Sequence, residues 1–193
     1  MRLAPQSALH NAFGVPSSAH GFKSDRTAVR ERADIGCVLL TAAVPAGDIV
    51  TAASAVTRVE LPVVPGAIKR ESGCTALWLS PRSWLIHCGI DDETDLVSRL
   101  NRLFPEKSAH AAAFSDALCW FEISLSGALD LLTEGGFVSL EREGLPVGHA
   151  KRTLIAQVAV VVLRESENVW LVAVERSRAR YFADWLIAAA EAP

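Results

Sequence analysis

The 193-residue sequence has no long hydrophobic run. Its longest apolar stretch, residues 154–163, is interrupted by Gln157 and bounded by Arg152 and Arg164. A membrane-crossing helix needs about 20 apolar residues, so none is expected. Acidic residues are missing from the first 24 positions, but only Arg2 and Lys23 supply strong positive charge there and no continuous apolar segment accompanies them, which argues against a secretion signal. A plain tail is the simpler reading of that segment, with a transit peptide as the weaker alternative. The four cysteines, Cys37, Cys74, Cys88 and Cys119, include no Cys-x-x-Cys pair, and a reducing, cytoplasmic setting is the default expectation.

Catalytic motifs are equally scarce. There is no Gly-x-Gly-x-x-Gly turn to bring backbone amides onto a pyrophosphate, no phosphate loop and no Gly-x-Ser-x-Gly nucleophile elbow. Gly135-Gly136 follows a short helical segment rather than opening one, which reads as a helix C-cap or turn. His10, His20, His87, His110 and His149 never fall at the i, i+4 spacing of a helical ligand pair, and His87 and Cys88, adjacent on a strand, point to opposite faces. No catalytic, cofactor-binding or metal-binding residue is expected on this chain.

What is present is a foldable, weakly acidic composition: 50% hydrophobic and 21% charged, with a net charge of −3. That balance argues against disorder and against a nucleic-acid-binding surface. Residues 1–34 hold no sustained period and are read as an N-terminal arm. From residue 35 the pattern is regular, and 35–193 reads as a single compact α+β domain of two halves, about 35–105 and 118–191. The first half has an apolar run over 37–44, a helix over 48–56 and a loop around Pro62 and Pro65. A hairpin follows, with arms 75–79 and 84–88 joined through Ser80-Pro81-Arg82-Ser83, and then a helix over 91–104. Residues 105–117 form a small-residue connection. The order then repeats: a strand over 119–125, a helix over 127–134, a Gly-marked loop, strands over 153–163 and 169–174, and a helix to about residue 190. The shared order suggests a duplication.

Two basic clusters are candidates for partner binding. His149, Lys151 and Arg152 follow Gly144-Leu145-Pro146-Val147-Gly148, a loop whose cations suit an acidic ligand or a partner carboxylate; a solvated turn is the alternative. Arg176, Arg178 and Arg180 open the last helix, where cations oppose the helix dipole and Arg176 and Arg180 repel at about 0.2–0.5 kcal/mol. An inter-subunit ion pair would offset that cost, as would Glu175 or a solvent-exposed arrangement.

The stretch Leu77-Trp78-Leu79-Ser80-Pro81-Arg82-Ser83-Trp84-Leu85-Ile86 resembles the Trp-Leu-Gly-Pro-x-x-Trp-Leu hairpin of the gamma subunit of heterotetrameric sarcosine oxidase. Ser126-Gly127-Ala128 through Gly135, the run Pro146 to Leu154, and the closing Glu175 to Leu186 are similar to further segments of that family, in its order. The resemblance implies a fold like that of the aminomethyltransferase, the folate-binding T-protein of glycine cleavage. It also implies membership of a cytoplasmic complex that demethylates sarcosine to glycine, passes the one-carbon unit to tetrahydrofolate and yields hydrogen peroxide. In that family FAD, FMN, NAD, tetrahydrofolate and zinc belong to partner chains, the larger alpha and beta subunits and the small delta subunit. Two departures stand out: Ala113-Phe114-Ser115 replaces the Asp-hydrophobic-Ser of folate-binding relatives, with Asp116 a displaced substitute, and Arg82 and Ser83 replace hairpin acids. The rival readings are a stand-alone folate-binding or one-carbon transfer protein, and an assembly factor of the same fold. The assembly factors' Lys-Gly-Cys-type loop has no counterpart at Gly148-His149-Ala150-Lys151.

Overall fold

The structure is a computed structural model that describes residues 7–9, 21–43, 47–104, 108–136 and 139–191. The chain divides into two compact units, one of residues 1–33, 117–147 and 151–193, the other of residues 34–116 and 148–150. The strands and helices run in chain order β1 (Gly21–Lys23), β2 (Ala28–Glu31), β3 (Ile35–Ala42), α1 (Gly47–Thr57), β4 (Ile68–Glu71), β5 (Cys74–Ser80), β6 (Ser83–Gly89), α2 (Glu93–Leu103) and β7 (Ala109–Ala113). They continue as β8 (Leu118–Ser124), α3 (Ala128–Glu134), β9 (Ala150–Ile155), β10 (Val158–Ser166), β11 (Val169–Glu175) and α4 (Ala179–Glu191).

In the unit of residues 34–116 the sheet order is β4-β5-β6-β3-β7. Val38, Leu40, Trp84, Ile86 and Cys88 alternate along β3 and β6, so one sheet face is apolar, and Ile49, Ala53, Leu96 and Leu100 of α1 and α2 cover it. The Trp84 indole N–H donates to the Pro62 carbonyl at 2.7 Å, tying the loop to the hairpin. Asn101 of α2 grips the Ala111 backbone from both sides, Nδ2 donating at 2.8 Å and Oδ1 accepting at 2.9 Å. These side-chain bonds engage strand groups that β3 does not, and so blunt the edge at β7.

The other unit carries the order β1-β2-β8-β11-β10-β9. Phe121, Ile123, Trp170, Val172, Val160 and Val162 form its apolar face under α3 and α4. The two sheets have matching topologies: β3, α1, β4, β5, β6 and α2 correspond to β8, α3, β9, β10, β11 and α4, each with the first strand inserted beside the last. The α+β class with two similar halves is therefore what the chain adopts.

Several sequence expectations are corrected. Residues 21–31 are not arm: β1 and β2 extend the sheet, β2 pairing β8 in the register Arg30↔Glu122. Leu9 is fully buried in the same core, and Glu31 accepts from the Ser7 hydroxyl and, at 3.2 Å, from the Ala8 amide. The remainder of residues 1–20 lies outside the described residues. The connection 105–117 contains β7, whose Ala-His-Ala-Ala-Ala run is too poor in β-formers to read as a strand and owes its place to pairing with β3. The loop after Pro65 contains β4, joined to β5 by Ser72 and Gly73, both at positive φ. The single strand over 153–163 is two, β9 and β10, separated by Ala156 (φ 50°) and Gln157 (φ 63°). Paired positive φ values define a type I′ turn, normally signalled by Asn or Gly, so Ala-Gln hides it. The units are also interleaved, unlike the consecutive halves read from sequence.

Candidate functional site

The six basic candidates are spread over four segments of the chain. His149 is exposed in the unit of residues 34–116, where its backbone bridges Ala67. Lys151 and Arg152 begin edge strand β9; Arg152 is exposed, whereas the Lys151 ammonium reaches the Ser139 carbonyl at 3.4 Å. Arg176 and Arg178 lie in a single 3-10 turn between β11 and α4, so only Arg180 stands on the helix proper. The expectation that all three arginines open the helix is thus corrected. Arg180 is offset by Asp184, one turn on, which accepts from its Nε at 3.0 Å and 3.1 Å. Neither Glu175 nor a second chain is needed for that, and Arg178 remains exposed.

Two charged groups escaped the sequence reading. On the sheet of β2 and β8, Arg30 grips Glu122 through two 2.8 Å bonds, and Arg32 adds a third at 2.9 Å. The hydrogen bond from Arg30 is the main cause that holds the Glu122 carboxyl below its ordinary range; burial opposes it and Arg32 assists. A lowered folded-state pKa means stability present above the unfolded value, about 4.3, and lost as pH falls through the folded value. Glu122→Gln should therefore lower the urea midpoint at about pH 7, with the gap to wild type shrinking as pH falls through the carboxylate range. A gap that stayed constant across that range would overturn this account.

The second group is Arg164 of β10, only 3% exposed. It donates to the Leu145 carbonyl at 3.2 Å, pairs with Glu167 at 2.8 Å, and lies over the Trp170 ring at 4.8 Å. Its role is to fasten the 139–147 loop to the sheet. Sequence alone suggested only that it closed an apolar run.

Residues 113–115 hold no free carboxylate. Ala113 ends β7, and the Phe114 and Ser115 amides with the Ser115 hydroxyl all donate to Oε1 of Glu93, at 3.0, 3.0 and 2.6 Å. The Ser115 hydroxyl in turn accepts from the Cys37 amide at 2.8 Å. Glu93, expected only to favour the helix N-terminus, is thus a knot between α2, β7 and β3. Asp116 is exposed in the following 3-10 turn. Gly135 caps α3, and a Cβ there would lie 2.4 Å from the Trp185 ring, so close helix packing requires glycine. Among the described residues no cluster of three or more His, Cys, Asp or Glu side chains could hold a metal ion. None of the described helices is long and apolar enough to cross a membrane.

Two topologically matched units of this kind are shared with the glycine cleavage system aminomethyltransferase T from Bartonella henselae, at a TM-score of 0.62 and 11% identity. The alignment covers 81% of this chain and 44% of that one, so the aminomethyltransferase-like fold is present at less than half the relative's length. A chain of the heterotetrameric sarcosine oxidase from Corynebacterium sp. U-96, solved in complex with pyrrole 2-carboxylate, superposes at a TM-score of 0.84 with 23% identity, over 96% of this chain and 94% of that one. Residues 41–192 match the sarcosine oxidase, gamma subunit family, and the chain belongs to that family. No curated protein matches it.

Proposed function

We propose that this chain is the gamma subunit of a heterotetrameric sarcosine oxidase, a chain without a reaction centre of its own that docks on larger subunits and holds the complex together. The family match over residues 41–192 carries this reading, and the near full-length superposition on a chain of that complex supports it. Alpha, beta and delta subunits are the partners in this reading. FAD, FMN, NAD, tetrahydrofolate and zinc belong to them, and the assembly converts sarcosine to glycine and hydrogen peroxide with one-carbon transfer to tetrahydrofolate. The four free thiols favour a reducing cytoplasm.

His149, Lys151, Arg152, Arg176, Arg178 and Arg180 are proposed to face partner carboxylates, with exposed Arg152 and Arg178 leading. Tagged purification from the native host should yield a yellow assembly of several chains that produces peroxide on adding sarcosine. A colourless, solitary chain that titrates with tetrahydrofolate would replace this reading with a folate-binding one. In the assembly, Arg152→Glu combined with Arg178→Glu should cut co-purification about tenfold while leaving the thermal midpoint of the chain unchanged. Undiminished co-purification would remove these residues from the interface.

A further inference from the structure

Two thiols 14 positions apart in sequence meet through strand register. Thr75 of β5 pairs with His87 of β6, so the next residue outward on each strand, Cys74 and Cys88, stand opposite each other. Both pack on the face under α1 and α2, Cys88 buried and Cys74 half-buried. Directly opposed antiparallel residues have Cα atoms about 4.5–5.5 Å apart, inside the ~4.4–6.8 Å that a disulfide spans. Neither thiol has a role in the assembly surface argued above.

We propose that Cys74 and Cys88 form a reversible redox pair, which a low-molecular-weight disulfide such as oxidised glutathione converts into a cross-strand disulfide. Cys74, the more accessible, attacks one sulfur of the reagent; the reagent's S–S bond breaks, one thiolate leaves, and a mixed disulfide stands on Cys74. The Cys88 sulfur then attacks the Cys74 sulfur and expels the second thiolate. The two protein thiols give up two electrons and two protons, and the reagent leaves as two thiols. Burial raises both thiols, Cys88 to about 12; Asp92 raises each further, Glu93 adds to the effect at Cys88, and Arg99 opposes it at Cys74. Thiolate is therefore scarce and exchange slow at neutral pH, and the reaction is best run near pH ~8.5, where more thiolate forms.

The test treats the full chain, together with whatever subunits purify with it, with oxidised glutathione, and maps its peptides before and after dithiothreitol. A dithiothreitol-sensitive crosslink between the Cys74 and Cys88 peptides is expected, while Cys37 and Cys119 remain alkylatable after unfolding. In Cys88→Ala the reaction should stop at a glutathione adduct on Cys74, formed about tenfold faster than any adduct on Cys37 or Cys119. A wild-type chain that accumulates the Cys74 adduct without passing to the crosslink would overturn the proposal. So would a Cys88→Ala chain with no adduct at Cys74.

Discussion

Trp84→Ala is expected to lower the unfolding free energy by about 3–5 kcal/mol, the usual cost of deleting a large buried aromatic. Trp84 is 2% exposed and belongs to the buried cluster that also holds Leu40, Ile86, Leu61 and Leu100, so its removal leaves a cavity in that core. Its loss also leaves the Pro62 carbonyl without the indole donor, which adds about 1–3 kcal/mol if that carbonyl stays dry. At about 2–4 °C per kcal/mol for a chain of this size, the ~3–5 kcal/mol of the lost ring alone should lower the midpoint by roughly 6–20 °C. Trp84→Phe separates the two contributions, because it keeps most of the ring and loses the N–H. Urea titration followed by far-UV circular dichroism measures both. A loss below about 1 kcal/mol for Trp84→Ala would mean that the hairpin does not anchor this core.

The second large effect is expected at Phe182 in the other unit. Its fully buried ring meets Phe121 edge-on, with centroids 5.4 Å apart and planes at 62°, and lies 5.6 Å from Trp185. Phe182→Ala removes those contacts at about 3–5 kcal/mol, part of it the ~0.5–1.5 kcal/mol of the aromatic pairs themselves. Because α4 presents Arg180 and follows Arg176 and Arg178, three of the residues proposed to dock on partners, the same variant should also weaken the proposed docking. That separates it from the charge reversals, which spare stability. Differential scanning fluorimetry beside co-purification reads both. An unchanged midpoint would show that α4 is not held by Phe182.

The strongly periodic elements were readable because their periodicity is the packing itself. Leu96 and Leu100 mark the buried face of α2, and the alternation through Trp84, Ile86 and Cys88 marks β6. The weak strands were not. β7 is mostly alanine, and β2 sits in a charge-dense stretch whose Arg30 and Arg32 pair with Glu122, supplied by a strand far along the chain. Turn chemistry failed at Ala156-Gln157 because neither residue announces positive φ. Of the candidate site, the basic residues are visible as composition, but the pairing of Arg180 with Asp184 and the hold of Glu93 on Ser115 come only with the folded geometry. The Cys74–Cys88 juxtaposition was hidden because only the register of a hairpin creates it.

The matched topologies differ in where the last strand originates. β7 follows α2 directly, whereas its counterpart β2 is made long before β8, with 92 positions separating Arg30 from Glu122. At ribosomal speeds of about 5–20 residues per second, β2 waits roughly 5–20 s for its partner, and the whole of residues 34–116 is translated in that interval. A two-stranded ribbon of this length is marginal in water by itself. The sheet of β3 to β7 is thus built from one contiguous stretch of chain, whereas the edge formed by β1 and β2 has no sheet to join until β8 is made.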